Sequence, residues 1–148
     1  MLSVGIPKEI KPLEKRVGLI PSAVSAFCKQ GIFVRVQAGA GDASGYSDDD
    51  YQRAGAQIAA TAEEVYQADF IQKVKEPQAA EFPFLRRDQI LFCFLHLASP
   101  ENAGLVRALT ESGAGAIAYE GVEKDNRDRK STRLNSSHSD RSRMPSSA

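Results

Sequence analysis

The sequence has no tryptophan and only two cysteines, and none of its apolar runs approaches the roughly 18 to 20 residues needed to span a bilayer. Each absence removes a class of protein. Cys28 and Cys93 both sit in apolar surroundings, so a disulfide framework or a cysteine zinc site is excluded and a small buried thiol is expected at each. No basic flank and apolar core precede Ser3, so no secretory leader is expected and the cytoplasm is the default location. Lysine and arginine balance aspartate and glutamate at 19 each, and no nucleic-acid motif is present. A membrane or nucleic-acid partner is therefore not expected. What is there, 42% hydrophobic and 26% charged residues in 148, is the composition of a soluble domain long enough for a real core.

The charge balance hides two kinds of sequence. Met1 to Arg127 carries 14 basic and 17 acidic residues, a net of −3; Asp128 onward carries 5 and 2, a net of +3. The second part is rich in Ser and Arg and has no periodicity, as a disordered basic tail would. Its stretch Asp128-Arg-Lys-Ser-Thr-Arg-Leu-Asn-Ser-Ser-His also matches the conceptual translation of a sequencing adapter, with Ser139 to Arg141 as its barcode. The expected division is therefore a domain over 1–127 and a non-native tail over 128–148, with the authentic sequence interrupted near Arg127. His138 and the tail arginines carry no functional weight on this reading.

Within 1–127, short apolar runs alternate with helical patterns. Strands are expected at Ser3 to Ile6, Ile32 to Gln37, Gln57 to Ala59, Asp69 to Val74, Ile90 to Leu95 and Gly115 to Tyr119. Helices are expected from Pro21, ended by Gly31; from Asp48 to Ala54; from Thr61 to Ala68, with Thr61 as cap; and from Glu101 to Ser112, ended by Gly113. Gln78 to Arg86 reads as a short helix or turn. Strand and helix in alternation with short loops imply βαβ units, an α/β fold with a mostly parallel sheet flanked by helices.

In such sheets ligands gather outside the carboxyl ends of the strands, and several chemically capable residues fall there. Lys75 follows one apolar run and His96 follows the most apolar one. Lys75 shares its strand's alternation with Lys73, so the pair either fringes an edge strand or presents an ammonium to a carbonyl or carboxylate. His96 is either a core residue bonded to a backbone carbonyl or an acid/base, since histidine as a residue type titrates near neutrality. Arg16, in the loop after the first strand, is either a solvated charge or a bidentate clamp for a carboxylate. Glu120, at the end of the last strand, is a weaker candidate. The glycines Gly39, Gly41 and Gly45 follow a strand and precede a helix. Their spacing fits neither phosphate-loop pattern, and Asp48 to Asp50 would repel phosphate.

Val4-Gly-Ile-Pro-Lys-Glu, Glu14-Lys-Arg-Val-Gly-Leu, Gln37-Ala-Gly-Ala-Gly, Ala54-Gly-Ala, Lys73-Val-Lys-Glu-Pro, Phe94-Leu-His-Leu-Ala and Ile117-Ala-Tyr-Glu together resemble the amino-terminal domain of the alanine dehydrogenase and nicotinamide nucleotide transhydrogenase family, over essentially all of Met1 to Arg127. The Lys-Val-Lys-Glu-Pro and Phe-Leu-His-Leu-Ala segments look closer to the dehydrogenases. The resemblance implies an incomplete Rossmann-like substrate domain from an enzyme that converts L-alanine to pyruvate and ammonium with NAD, and that assembles as a homo-oligomer. It also implies that Arg16 binds the substrate carboxylate, that Lys75 contacts the carboxylate or carbonyl, and that His96 is the acid/base. Glu120 matches the family's Tyr-Glu after a slightly longer connection. The family's NAD-binding domain follows this region, so the chain as given is expected neither to bind NAD nor to turn over. The other readings are a fragment of a transhydrogenase α subunit and a stand-alone binding module that kept the fold.

Overall fold

Ser3-Val-Gly-Ile buries three residues in succession ahead of Pro7, whose missing N–H ends any ladder. In the computed structural model, which describes residues 1–124 and 127–128, this segment is β1 (Ser3–Ile6) at the centre of the sheet. Pro21 opens α1 (Pro21–Lys29), which packs Val24 inward and leads to β2 (Phe33–Gln37). The acidic run that follows the glycine turn becomes α2 (Asp48–Arg53). Ser47 caps it in reciprocal hydrogen bonds with Asp50, so the carboxylates sit where the helix dipole favours them. Then come β3 (Gln57–Ala59), the single turn α3 (Ala62–Val65), β4 (Phe70–Lys75), a 3-10 turn at Ala79–Phe84, β5 (Ile90–Phe94), α4 (Ala103–Ser112) and β6 (Gly115–Ala118). A two-residue antiparallel pair, β7 (Glu123–Lys124) with β8 (Arg127–Asp128), closes the described chain. Apart from Asp128, the expected tail 128–148 lies outside the described residues.

All five ladders of the main sheet are parallel, in the order β3-β2-β1-β4-β5-β6. The expected α/β sheet is therefore present, and its order is that of a doubly wound Rossmann-type fold. Two core clusters hold it together. One is built on Val4, Ile6, Val24, Val34, Val36 and Tyr51; the other on Ile71, Leu91, Cys93, Leu95, Leu105 and Leu109. Each fully buried Leu, Ile or Val contributes about 1.5–3 kcal/mol relative to exposure, so the central strands carry most of the stability.

Local departures from the expected elements have local causes. The helix expected over Thr61 to Ala68 stops after one turn, and the chain runs on to Ala68 through tighter three-residue turns, with the Gln67 and Ala68 N–H groups donating to the carbonyls of Glu64 and Val65. The helix expected from Glu101 begins at Ala103. A 3-10 turn at Pro100–Asn102 precedes it, and Asn102 Nδ2 is tied to the carbonyls of Leu95 (3.2 Å) and His96 (3.0 Å). The edge-strand alternative for Lys73 and Lys75 fails outright, because β4 lies between β1 and β5.

Candidate active site

The strand order reverses between β1 and β4, and the carboxyl ends there open toward the same edge as those of β5 and β6. The structure brings the four sequence candidates to this edge from four connections: Arg16 after β1, Lys75 at the end of β4, His96 after β5 and Glu120 after β6.

Arg16 is held in place by its own loop. Gly18 crosses directly over β4, where any side chain would collide with the Gln72 carbonyl. Glu14 then grips the Arg16 guanidinium with two hydrogen bonds, Nε to Oε1 and Nη2 to Oε2, each 2.8 Å, and also accepts the Arg16 backbone N–H at 2.9 Å. These bonds hold the Glu14 carboxyl down at about 2, with a smaller contribution from the charge of Lys75. The arginine expected to clamp a substrate carboxylate thus carries a carboxylate of the chain itself on one edge. Its Nη1 makes no hydrogen bond among the described residues.

Lys75 is half-buried, with its Nζ 5.9 Å from the centroid of the Phe94 ring, a cation–π placement. The same ring stacks on His96 from its other neighbour, 6.1 Å between centroids at 12°. His96 sits at φ +47°, in the left-handed region that few non-glycine residues occupy. This turn is what swings the imidazole out of the strand line. Glu120 fastens it: its carboxylate accepts the backbone N–H groups of Leu95 (3.3 Å) and His96 (3.2 Å), and Oε1 lies 3.2 Å from His96 Nδ1. Burial works to raise the Glu120 carboxyl, but the N–H groups of Glu120, Leu95 and His96 outweigh it and hold it below the usual carboxylate range. Nδ1 thus faces the Glu120 carboxylate, while Nε2 makes no hydrogen bond among the described residues.

An open cleft of about 490 Å³ is lined by Ile20, Tyr46, Val74, Phe94 and Tyr119 and, of the four candidates, by Arg16 alone. Tyr119 stands edge-on to both Phe92 (4.3 Å) and Phe94 (4.8 Å), and its hydroxyl is bonded to Gln72; burial raises it to about 12. A smaller hollow of about 130 Å³, also lined by Arg16, is bounded by Lys8, Glu9, Glu14, Gly39 and Asp42. A larger open hollow of about 560 Å³, between Phe82 and α4, contains none of the candidate groups.

Beneath the site is a charge cluster that sequence reasoning missed. Lys73 is fully buried and paired with Glu81 (2.9 Å) and Glu9 (3.3 Å); Tyr66 donates its hydroxyl to the same Glu81 oxygen at 3.0 Å. Burial pushes the Glu9 carboxyl up, against the pull of Lys73 and the amides of Val74 and Lys75. Its sequence signal was faint: Glu9 lies in the quoted Pro-Lys-Glu motif, but its partners stand more than sixty residues away. Cys93 is buried beside this cluster and its thiol is raised well above its ordinary range, so it is a packing residue.

The glycine turn after β2 does not fit a dinucleotide pyrophosphate. Gly39 already gives its N–H to Asp48 Oδ1 at 2.8 Å, with Asp42 beside it, so an anion would displace one carboxylate and face another. Among the described residues no group of three or more His, Cys, Asp or Glu could hold a metal ion, and no helix is long and apolar enough to cross a membrane.

The chain is similar to proteins of known family. The family model "Alanine dehydrogenase/PNT, N-terminal domain" matches residues 5–139. An alanine dehydrogenase of Mycobacterium tuberculosis is 47% identical over 123 residues, 82% of this chain and 33% of that protein. Alanine dehydrogenase 2 of Staphylococcus aureus is 43% identical over 126 residues, 85% and 33% respectively. Among solved structures, an L-alanine dehydrogenase superposes with a TM-score of 0.81 at 43% identity, covering 85% of this chain and 34% of that one. A transhydrogenase from Sinorhizobium meliloti gives 0.73 at 33% identity, covering 80% and 33%. The chain therefore spans about a third of the length of these relatives. With the match running from β1 through the last described strand, the chain belongs to the alanine dehydrogenase/PNT amino-terminal domain family.

Proposed function

We propose that this chain is the substrate-binding part of an NAD-dependent L-alanine dehydrogenase, which deaminates L-alanine to pyruvate and ammonium and runs the reverse amination. Arg16 takes the substrate carboxylate on the guanidinium edge that Glu14 leaves open, and Lys75 takes the carboxylate or carbonyl oxygen. His96, with Nδ1 turned to Glu120, is the acid/base: release of ammonium from the imine requires water to lose a proton, and Nε2 is the nitrogen left to accept it. Glu120 positions that ring. NAD is the hydride acceptor the family likeness implies, and the proposal assigns its binding to none of the described residues. A homo-oligomer in the cytoplasm accompanies this reading, and the 148-residue chain by itself forms no NADH from alanine.

One observation carries the proposal: Lys75, Phe94, His96 and Glu120 form an unbroken row of contacts along the carboxyl edge, with the Arg16–Glu14 fork within reach of the Lys75 charge. Titration calorimetry with pyruvate tests it. Binding is expected, and Arg16→Ala and Lys75→Ala are each expected to weaken it about tenfold, the loss of one charge-assisted contact. Equal affinity in wild type and both variants would sink the reading. The likeness to a transhydrogenase favours a second reading, hydride exchange between two nicotinamides without an amino acid. Absence of any pyruvate binding to the wild-type chain would move it to the front.

A further inference from the structure

The β4–β5 ladder has one gap. Phe70, Ile71 and Gln72 face Ile90, Leu91 and Phe92 in register, and pairing resumes only at Lys75 opposite Phe94. On its other side β4 pairs with β1 at Phe70 and Ile71 alone. The stretch that delivers Lys75 thus outruns its neighbour β1 and breaks step with β5. Glu9, from the loop after β1, fills the vacancy. Its carboxylate, 2% exposed, accepts the N–H of Val74 through Oε1 at 2.6 Å and that of Lys75 through Oε2 at 3.4 Å. Lys73 Nζ holds Oε2 from below at 3.3 Å, and Glu81 fixes Lys73 in turn. The same loop is tied a second time to the end of β4, where Lys11 pairs with Glu76. A carboxylate suits this place because its two oxygens can serve two amides and an ammonium at once.

We infer that Glu9 is a positioning residue for Lys75. It replaces the missing strand partner at Val74 and Lys75, and so sets where the Lys75 ammonium stands relative to the Arg16 loop that Glu9 itself belongs to. The functional meaning rests on the substrate role proposed for Lys75; the geometric claim does not.

The test is acetylation of the full chain by limiting acetic anhydride, with the rate at Lys75 read by peptide mass spectrometry against exposed Lys15 as internal standard. Glu9→Gln keeps the shape but replaces one acceptor oxygen with a donor. Lys75 acetylation is expected to rise about tenfold, the equivalent of one lost hydrogen bond to a charged acceptor. The Val74 amide proton is expected to move upfield as its short bond weakens. Val24→Ala, a core truncation on α1, serves as the control for general loosening: it lowers the melting temperature and leaves the Lys75 rate unchanged. Should Glu9→Gln melt below the assay temperature, Glu9→Asp, which keeps the charge and withdraws both oxygens, is read in the same way. An unchanged Lys75 rate in the Glu9 variant, or an equal rise in Val24→Ala, overturns the inference. Pyruvate separates it from the parent reading. If pyruvate shields Lys75 in wild type while the Glu9 variant leaves the rate unchanged, the positioning role alone fails. If the Glu9 variant exposes Lys75 and pyruvate shields nothing, the positioning role stands and the substrate reading fails.

Discussion

Lys73 and Lys75 stand two residues apart on β4, and the protein treats them in opposite ways. Lys73 is sealed in the interior between two carboxylates, whereas Lys75 reaches the mouth of the sheet and rests against the face of Phe94. The difference is set by their surroundings, not by their type. An ammonium in the interior is tolerable only when countercharges meet it, because an isolated buried charge costs far more than folding supplies. An ammonium at the mouth keeps part of its hydration and can exchange an aromatic contact for a ligand. One lysine therefore organises the strand end, and the other is available for chemistry.

The sharpest way to break this contrast is Lys73→Ala. It leaves Glu9 and Glu81 facing each other in the interior, and removal of one member of a buried ion cluster costs about 3–5 kcal/mol. That is a large share of the roughly 5–15 kcal/mol that holds an ordinary domain together. Urea unfolding followed by circular dichroism should show a strongly lowered midpoint or no cooperative transition. A loss below about 1 kcal/mol would place Lys73 in the class of weak surface pairs and erase the distinction.

Lys75→Ala should do the reverse. A cation–π contact of about 0.5–1 kcal/mol and a weak attraction to Glu14 are lost from a half-buried position, so the unfolding midpoint should barely move. Pyruvate affinity, on the proposed function, falls about tenfold. A variant that lost stability and kept affinity would exchange the assignments of the two lysines.

A third substitution extends the comparison to the neighbouring strand end. Glu120 is also a carboxylate serving backbone amides, as Glu9 is, but it stands partly open to water. Glu120→Ala should therefore cost about 1 kcal/mol, less than any change in the buried cluster, because water can replace it at the freed N–H groups. Its main effect should be on the left-handed turn at His96, read as a changed amide shift for His96 and Leu95. A stability loss as large as that of Lys73→Ala would show that the two ends are built alike.

These contrasts also show what could be read from the residues alone. The sheet was legible because short apolar-rich runs alternate with helical patterns, although only the central strands β1 and β4 are buried along nearly their whole length, while β2 and β5 alternate and β6 is largely exposed. The arrival of Arg16, Lys75, His96 and Glu120 at one edge followed from the same pattern, because each comes after a strand. The partition between Lys73 and Lys75 was not legible. Alternation treats positions 73 and 75 as equivalent, and the partners that separate them, Glu9 and Glu81, are supplied by a loop far back in the chain and by a 3-10 turn after the strand. The Glu14–Arg16 fork was hidden for a different reason. Two residues of opposite charge two apart in a loop are ordinary, and only the backbone path over Gln72 makes them converge.

The smallest effect belongs to that fork. Its two partners set it apart from the buried cluster, because the Arg16 side chain is 61% exposed while the Glu14 it grips is 6% exposed. Hydrogen bonds from Arg16 hold the Glu14 carboxyl at about 2, against an ordinary value of 4.5. A carboxyl whose folded-state value is depressed adds stability that is fully present above about 4.5, and that stability is lost as pH falls through about 2. Glu9 has the opposite sign: its folded-state value is raised, so its contribution declines as pH climbs from 4.5 through that raised value. The prediction is a Glu14 carboxyl resonance that stays ionised down to near pH 2 in wild type and titrates close to its ordinary range in Arg16→Ala. The same variant should lose that contribution where it is present, above about pH 4.5, by a small amount because Arg16 is largely exposed, and should differ least from wild type near pH 2, so its stability falls less steeply on acidification. If the Glu14 titration does not move in Arg16→Ala, the carboxylate is held by something other than the guanidinium, and Arg16 is then free to bind a ligand with its whole fork.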